Sequence, residues 1–310
     1  AGIDIDNATS SNYTATAAGA YSVVVTNATG CSSTSSLVNV TINPVPLANV
    51  AAASALTFCE GRTVQLKAIA GTGYTYQWKR GAADIAGATS SNYNASITGI
   101  YTVIVTNAGG CSATSAGLNV VVKPLPAATI TAGGPTTFCS GKNVLLKANT
   151  GTNYTYQWIR GAAAVPGANQ VNFSATEPGL YTVVVTNASG CSVTSSAIPI
   201  SVNPLPVATI RPNGPLTFCA GQSVMLRANT GTNYTYQWKK AGVNIDNATG
   251  SSYTATTAGA YSVLITNAGG CSAISQTLNV TINPVPLATV AAGGPMTFCD
   301  GKNVQLKAIA

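Results

Sequence analysis

The run Val64-Gln-Leu-Lys-Ala68 alternates apolar and polar residues with the period of two that a half-buried β-strand imposes. Val64, Leu66 and Ala68 share one face, so a strand is expected from Val64 to Ile69. Tyr74 to Lys79 repeats the pattern with larger side chains. Here Tyr74, Tyr76 and Trp78 point inward, while Thr75, Gln77 and Lys79 face water. Gly81-Ala-Ala-Asp-Ile-Ala-Gly87 turns the chain. Further strands are expected over Ser91 to Ser96 and Tyr101 to Thr106, with Asn107-Ala-Gly-Gly110 as a hairpin turn. A last strand runs from Cys111 to Val122, and Lys123-Pro-Leu-Pro126 is a linker too short and stiff to let its neighbours swing freely. Short strands at this spacing predict an all-β sandwich.

The same pattern returns every 80 residues. Cys31, Cys111, Cys191 and Cys271 keep that spacing, as do Cys59, Cys139, Cys219 and Cys299. Trp78, Trp158 and Trp238 follow it, and so do Tyr21, Tyr101, Tyr181 and Tyr261. Every aromatic residue falls on a repeated position, which assigns the rings to a shared core, with Trp78, Trp158, Trp238, Tyr101, Tyr181 and Tyr261 as its largest members. The repeat predicts five segments: a partial repeat over 1–45, complete repeats over 46–125, 126–205 and 206–285, and a partial repeat over 286–310. Residues 1–70 match 241–310 at about 70 % of positions but 81–150 at only about 50 %, so three repeats form a longer duplication unit. The chain starts just past the Tyr74 to Lys79 position and stops just past the Val64 to Ile69 position, as expected of a window on a longer repeating polymer.

Composition narrows the chemistry. Only 14 Lys and Arg and 7 Asp and Glu occur in 310 residues, so solubility rests on Thr, Ser, Asn and the backbone. The net charge of +7 is dispersed along the chain and not gathered into a patch, which argues against nucleic-acid binding. Apolar runs are too short to span a bilayer. The eight cysteines stand at least 28 residues apart, with no histidine anywhere, so neither a metal site nor a cofactor site is expected and a disulfide framework in an oxidising, extracellular setting is. Catalysis is not expected either, because no histidine is present to serve as a base for the many hydroxyls.

Position by position, Val64-x-Leu66-x-Ala68, Trp78, Gly99-x-Tyr101-x-Val103 and Asn107-x-x-Gly110 resemble the immunoglobulin superfamily, with Tyr101 as its tyrosine corner. Ala68 and Val103 stand where that family usually places its inter-sheet cysteines, which implies an apolar pin in their place. Phe58-Cys-x-Gly61, the Trp and Val-Thr-Asn-x-x-Gly-Cys111 are similar to the Ig-like repeats of large type IX-secreted surface proteins and gliding adhesins of Bacteroidota. The resemblance covers every residue and implies tandem sandwiches stacked end to end in a rod at the cell surface.

In the strand order implied by this resemblance, Cys59 lies at the bottom of its sandwich and Cys111 at the top, on the order of 25 Å apart, whereas a disulfide needs Cα atoms within about 7 Å. Bonds between neighbours are therefore expected, Cys59 to Cys191 and Cys139 to Cys271. The alternative closes bonds inside single repeats: Cys59 to Cys111, Cys139 to Cys191 and Cys219 to Cys271. In the first scheme two interleaved covalent tracks result, Cys31 to Cys59 to Cys191 to Cys219 and Cys111 to Cys139 to Cys271 to Cys299.

Other motifs read as structure. Asp4 and Asp6 are turn residues, since their counterparts include Asn244 and Ala86, and seven acidic residues cannot supply a calcium site per joint. Arg227 replaces the lysine of Lys67, Lys147 and Lys307, which speaks against a repeated isopeptide crosslink. Sequons at Asn27, Asn94, Asn153, Asn187 and Asn233 follow from the abundance of Asn, Ser and Thr. The leading expectation is the structural shaft of an extracellular surface fibre whose partners are its own neighbouring repeats, with lateral self-association into filaments through sheet edges. A second is a module that binds glycan or surfaces by avidity through loops such as Asp84-Ile-Ala-Gly87 and Ala164-Val-Pro-Gly167.

Overall fold

The computed structural model describes residues 2–309; Ala1 and Ala310, the outermost positions of the two partial repeats, lie outside them. Every regular element among the described residues is a β-strand. The chain divides into two compact units, Ala1–Pro126 with Ser189–Cys191, and Ala127–Ala188 with Ser192–Ala310.

The complete sandwich of the first unit has nine strands: β1 Val50–Ala52, β2 Thr57–Cys59, β3 Val64–Ala68, β4 Thr75–Arg80, β5 Ala83–Asp84, β6 Asn92–Ala95, β7 Gly99–Thr106, β8 Ser112–Thr114 and β9 Leu118–Lys123. One sheet has β3 at its centre, flanked by β1 and β6. The other runs β2-β9-β7-β4-β5, with β8 also on β7. The first strand of the repeat thus changes sheets between Ala52 and Thr57. It pairs antiparallel with β3, Val50 opposite Ala68, and then parallel with β9, Cys59 opposite Lys123. That crossing delivers Cys59 to the far end of β9.

Inward faces of both sheets meet in one core. Val64 and Leu66 from β3 and Ala95 from β6 pack with Trp78, Tyr101, Val103, Val105 and Val120 from the opposite sheet. Register places Trp78 opposite Val103, the position where the family resemblance leads one to look for a cysteine. A ring ladder from Trp78 through Tyr93 to Tyr101, with centroids 5.8 and 5.7 Å apart, ties the sheets together. Both polar handles are satisfied, as burial requires. Trp78 Nε1 donates to Ser90 O at 2.8 Å, and Tyr101 donates its hydroxyl to Ile97 O at 2.9 Å, the geometry of a tyrosine corner.

Two local features depart from the strand limits read off the pattern. Tyr74 stands just outside β4, its ring laid over Gly71, where a Cβ would overlap it. The strand expected from Cys111 to Val122 is broken between Thr114 and Leu118. There the buried Ser115 turns its hydroxyl inward, accepting from Val103 N at 3.0 Å and donating to Ala116 O at 3.0 Å. A side-chain oxygen has replaced a ladder carbonyl, and the strand kinks around it.

The second unit contains two further sandwiches with the same strand orders. Their cores centre on Trp158 with Tyr181 and on Trp238 with Tyr261, all six large rings of the three sandwiches being at most 2 % exposed. Phe173 takes the middle rung in one of them, between Trp158 and Tyr181. Burying one such indole contributes about 3–5 kcal/mol, judged from large-to-small substitutions in cores.

Candidate functional site at the repeat joints

Within each unit a turn meets a linker. In the first unit the turn Asn107–Gly110 follows β7, and Gly110 closes it with φ of 81°. Asn107 Oδ1 accepts from the backbone N–H groups of Gly109 and Cys111, both at 3.0 Å, which pins the turn. The amide of the same side chain donates to Pro44 O at 2.7 Å, and Asn43 reaches back to Gly109 O at 3.3 Å. Linker and turn therefore hold each other through two Asn side chains. Gly109 is glycine because a Cβ there would fall on the Asn43 side chain.

The second unit repeats the arrangement. Asn267 donates to Pro204 O at 2.8 Å and accepts from Cys271 N at 3.0 Å, and Asn203 donates to Gly269 O at 3.4 Å.

The cysteines sit on these two features. Cys139 ends a Thr137–Cys139 strand that runs parallel to Ile198–Asn203, opposite Asn203, and Cys271 follows the turn of the next sandwich. Their sulfurs are bonded, with Cα atoms 5.6 Å apart. In the first unit Cys59 is bonded to Cys191, Cα atoms 5.7 Å apart, so the tip Ser189–Cys191 groups with the sandwich that contains Cys59. Each bond spans 132 residues of sequence. In the chain-entropy account a loop of that length contributes about 5 kcal/mol against the unfolded state. Cys191 and Cys271 are fully buried.

Cys31, Cys111, Cys219 and Cys299 carry free thiols. The alternative bonds inside single repeats, Cys59 to Cys111, Cys139 to Cys191 and Cys219 to Cys271, are not formed. Physically, β2 ends beside Lys123 at one end of β9, whereas Cys111 follows the turn at the other end of the sandwich. The Asn clamps were not visible to pattern reading; their one sequence signal is that Asn recurs at the turn (Asn27, Asn107, Asn187, Asn267) and, except for Lys123, at the linker (Asn43, Asn203, Asn283).

Ionisable groups are sparse at the joints. Lys79 pairs with Asp84 at 2.9 Å on the surface, far from the cysteines in sequence. Among the described residues no cluster of three or more His, Cys, Asp or Glu side chains could hold a metal ion. No helix among them is long and apolar enough to cross a membrane. A shallow cleft of about 550 Å³ opens beside Tyr154, Tyr156, Asn169 and Gln170, in the loop before Asn172–Ala175.

Strand order, tyrosine corner and core define a chain of tandem immunoglobulin-like β-sandwiches in which neighbouring sandwiches are joined by disulfides. No family model matches the chain, and no curated protein does. Among solved structures it is similar to the titin I-band fragment I67–I69, at 14 % identity over 78 % of this chain and 100 % of that one, TM-score 0.38. It is also similar to extracellular domains 3–5 of Drosophila OTK, at 15 % identity over 73 % and 93 %, TM-score 0.32. The three N-terminal domains of the bacteriophage RB49 outer capsid protein Hoc match at 13 % identity over 76 % and 99 %, TM-score 0.31.

Proposed function

We propose that this chain is part of the structural shaft of an extracellular surface fibre, of the kind its motifs resemble in large Bacteroidota surface proteins. The observation that carries this reading is the pair of disulfides that join each sandwich to the next one, Cys59 to Cys191 and Cys139 to Cys271. A bond inside a domain protects that domain; a bond across a joint passes tension from one domain to its neighbour while both stay folded. The extended stretch from Cys111 to Cys139 then hands over to the next through a sulfur bridge, which suits a strut. Low charge, satisfied joints and the free-standing core of each repeat fit the same role, with the repeats over 46–125, 126–205 and 206–285 as its folding units. The oxidised cysteines suit an extracellular setting.

Antibodies raised against residues 46–285 test this on the source cells by immunogold microscopy. Labelling along the whole length of surface fibres is expected; labelling confined to the cell interior or to a fibre tip rejects the shaft.

A second reading, adhesion through the loops, draws support from the cleft at Asn169 and Gln170, whose counterparts are Thr89-Ser90 and Thr249-Gly250. Amide side chains beside two tyrosines suit neutral sugar hydroxyls. Glycan-array binding that is lost in an Asn169→Ala, Gln170→Ala variant would select this reading, and a blank array selects the shaft alone.

A further inference from the structure

We infer that the sandwich built around Trp238 carries, on the outer face of its three-stranded sheet, a binding site for an anionic polysaccharide, in which Arg211 and Arg227 grip a carboxylate or sulfate ester of one sugar. The site is on a different sandwich from the cleft at Asn169 and Gln170 and does not depend on the shaft reading.

The strand register puts two cations side by side. Ile210–Pro212 pairs antiparallel with Val224–Ala228, which sets Arg211 directly opposite Arg227. Ile210, Leu226 and Ala228 are buried in the core, so by alternation both arginines point outward, and both are exposed. Side chains directly opposite each other have Cβ atoms about 4.5–5.5 Å apart, and like charges placed there repel. The other complete sandwiches avoid the clash, since Lys147 faces Thr131 and Lys67 faces Ala51.

Nothing in the chain relieves this repulsion. The one acidic residue between 206 and 285 is Asp246, and among the described residues the only ion pair is Lys79 with Asp84. The two other cations of the same sandwich have partners: Lys239 donates to Asn244 Oδ1 at 2.6 Å, and Lys240 to Thr257 Oγ1 at 2.8 Å. The two guanidinium groups have no such acceptor. An oxyanion seated between them cancels the repulsion and accepts charge-assisted hydrogen bonds from both planar forks.

The surroundings suit a sugar bearing that oxyanion. Ser252, on the strand Ser252–Ala255, stands opposite Arg227 and extends the row by a hydroxyl. The next row on the same face, two residues along and about 7 Å away, holds Asn213, Met225 and Thr254. Met225 lies opposite Thr254, and Asn213 donates its backbone N–H to Met225 O at 2.8 Å. Met225 is 36 % exposed, an apolar floor between an amide and a hydroxyl. A pyranose lying on it turns its C–H face to the thioether, its hydroxyls to Asn213 and Thr254, and its charged substituent to the arginines. Neither row offers an aromatic ring on which a nucleobase stacks, which favours a saccharide over a nucleic acid. The face is open, so a single sugar is held weakly, and a polymer that carries the group many times gains by rebinding.

The full chain, titrated at fixed salt with dextran sulfate, polygalacturonate, unmodified dextran and duplex DNA, tests the site. Binding to dextran sulfate, to polygalacturonate or to both is expected and identifies the oxyanion; unmodified dextran should not bind. Arg211→Ala with Arg227→Ala should weaken binding at least about tenfold. Lys67→Ala with Lys147→Ala removes the same charge from other sandwiches and should change it less than about twofold. Unaltered tryptophan fluorescence verifies the fold of each variant. Independently, sodium sulfate should raise the melting temperature of the unsubstituted chain more than that of the Arg211→Ala, Arg227→Ala variant. Failure to bind either anionic polymer overturns the inference, as does an equal loss in the two alanine variants or tighter binding to DNA than to both polysaccharides.

Discussion

Removing one joint cysteine changes how far the unfolded chain can be stretched, by an amount that depends on which sulfurs are bonded. At full extension the taut line is the shortest covalent path. With both bonds intact it runs from residue 1 to Cys59, crosses to Cys191, returns through 52 residues to Cys139, crosses to Cys271 and covers the final 39. That is about 150 residues, or about 540 Å at ~3.6 Å each, against about 1,100 Å for the reduced chain. In Cys59→Ser the path must go through Cys139 and Cys271 alone, which adds 28 residues, about 100 Å. Cys111→Ser changes nothing, because Cys111 bears no bond. Bonds closed inside single repeats give a different answer: either substitution then frees 52 residues, about 190 Å. Optical tweezers with handles on the two termini read this length directly, with reduced protein as the control. A gain near 190 Å from Cys111→Ser would refute the joint bonding.

Two further outcomes follow from the cores. Burial, and to a smaller degree the neighbouring Tyr101, raises the Tyr93 phenol above its ordinary value of 10.0 while Arg80 pulls it down; burial and Tyr261 raise Tyr253 in the same way. A phenol harder to ionise when folded stabilises fully below pH 10.0, and that stability is lost as pH climbs through the raised value, because the unfolded chain ionises first. Absorbance at the tyrosinate band should show Tyr93 and Tyr253 ionising late, and Tyr93→Phe should flatten the alkaline fall in its sandwich. Ser195→Ala removes the hydroxyl that accepts from Val183 N and donates to Ser196 O, leaving a buried N–H without its side-chain partner. A loss of about 1–3 kcal/mol is expected by chemical denaturation, and an unchanged midpoint would mean water takes the place of the hydroxyl.

Much of the fold was legible because strand period, aromatic recurrence and turn residues are local. Val64, Leu66, Trp78 and Tyr101 declare their burial by spacing alone, and the 80-residue period carries the reading from one copy to the next. What pattern reading passed over are groups whose partners lie far off in sequence. Asn107 acts on Pro44, 63 positions away, and Ser115 on Val103, 12 away. The turn motif that marks Asn107 says nothing of its distant partner, and nothing near Ser115 marks it as different from the many other Ser side chains.

The cysteines divide the two kinds of information most clearly. By itself the sequence determined that there are two cysteine positions per repeat, too far apart for a metal and set in strand and turn contexts. Only the tertiary structure decided which sulfurs meet, because a disulfide requires Cα atoms within about 7 Å; for Cys139 and Cys271 that proximity is created by a strand that changes sheets, a linker clamped by Asn203 and Asn267, and the turn that precedes Cys271.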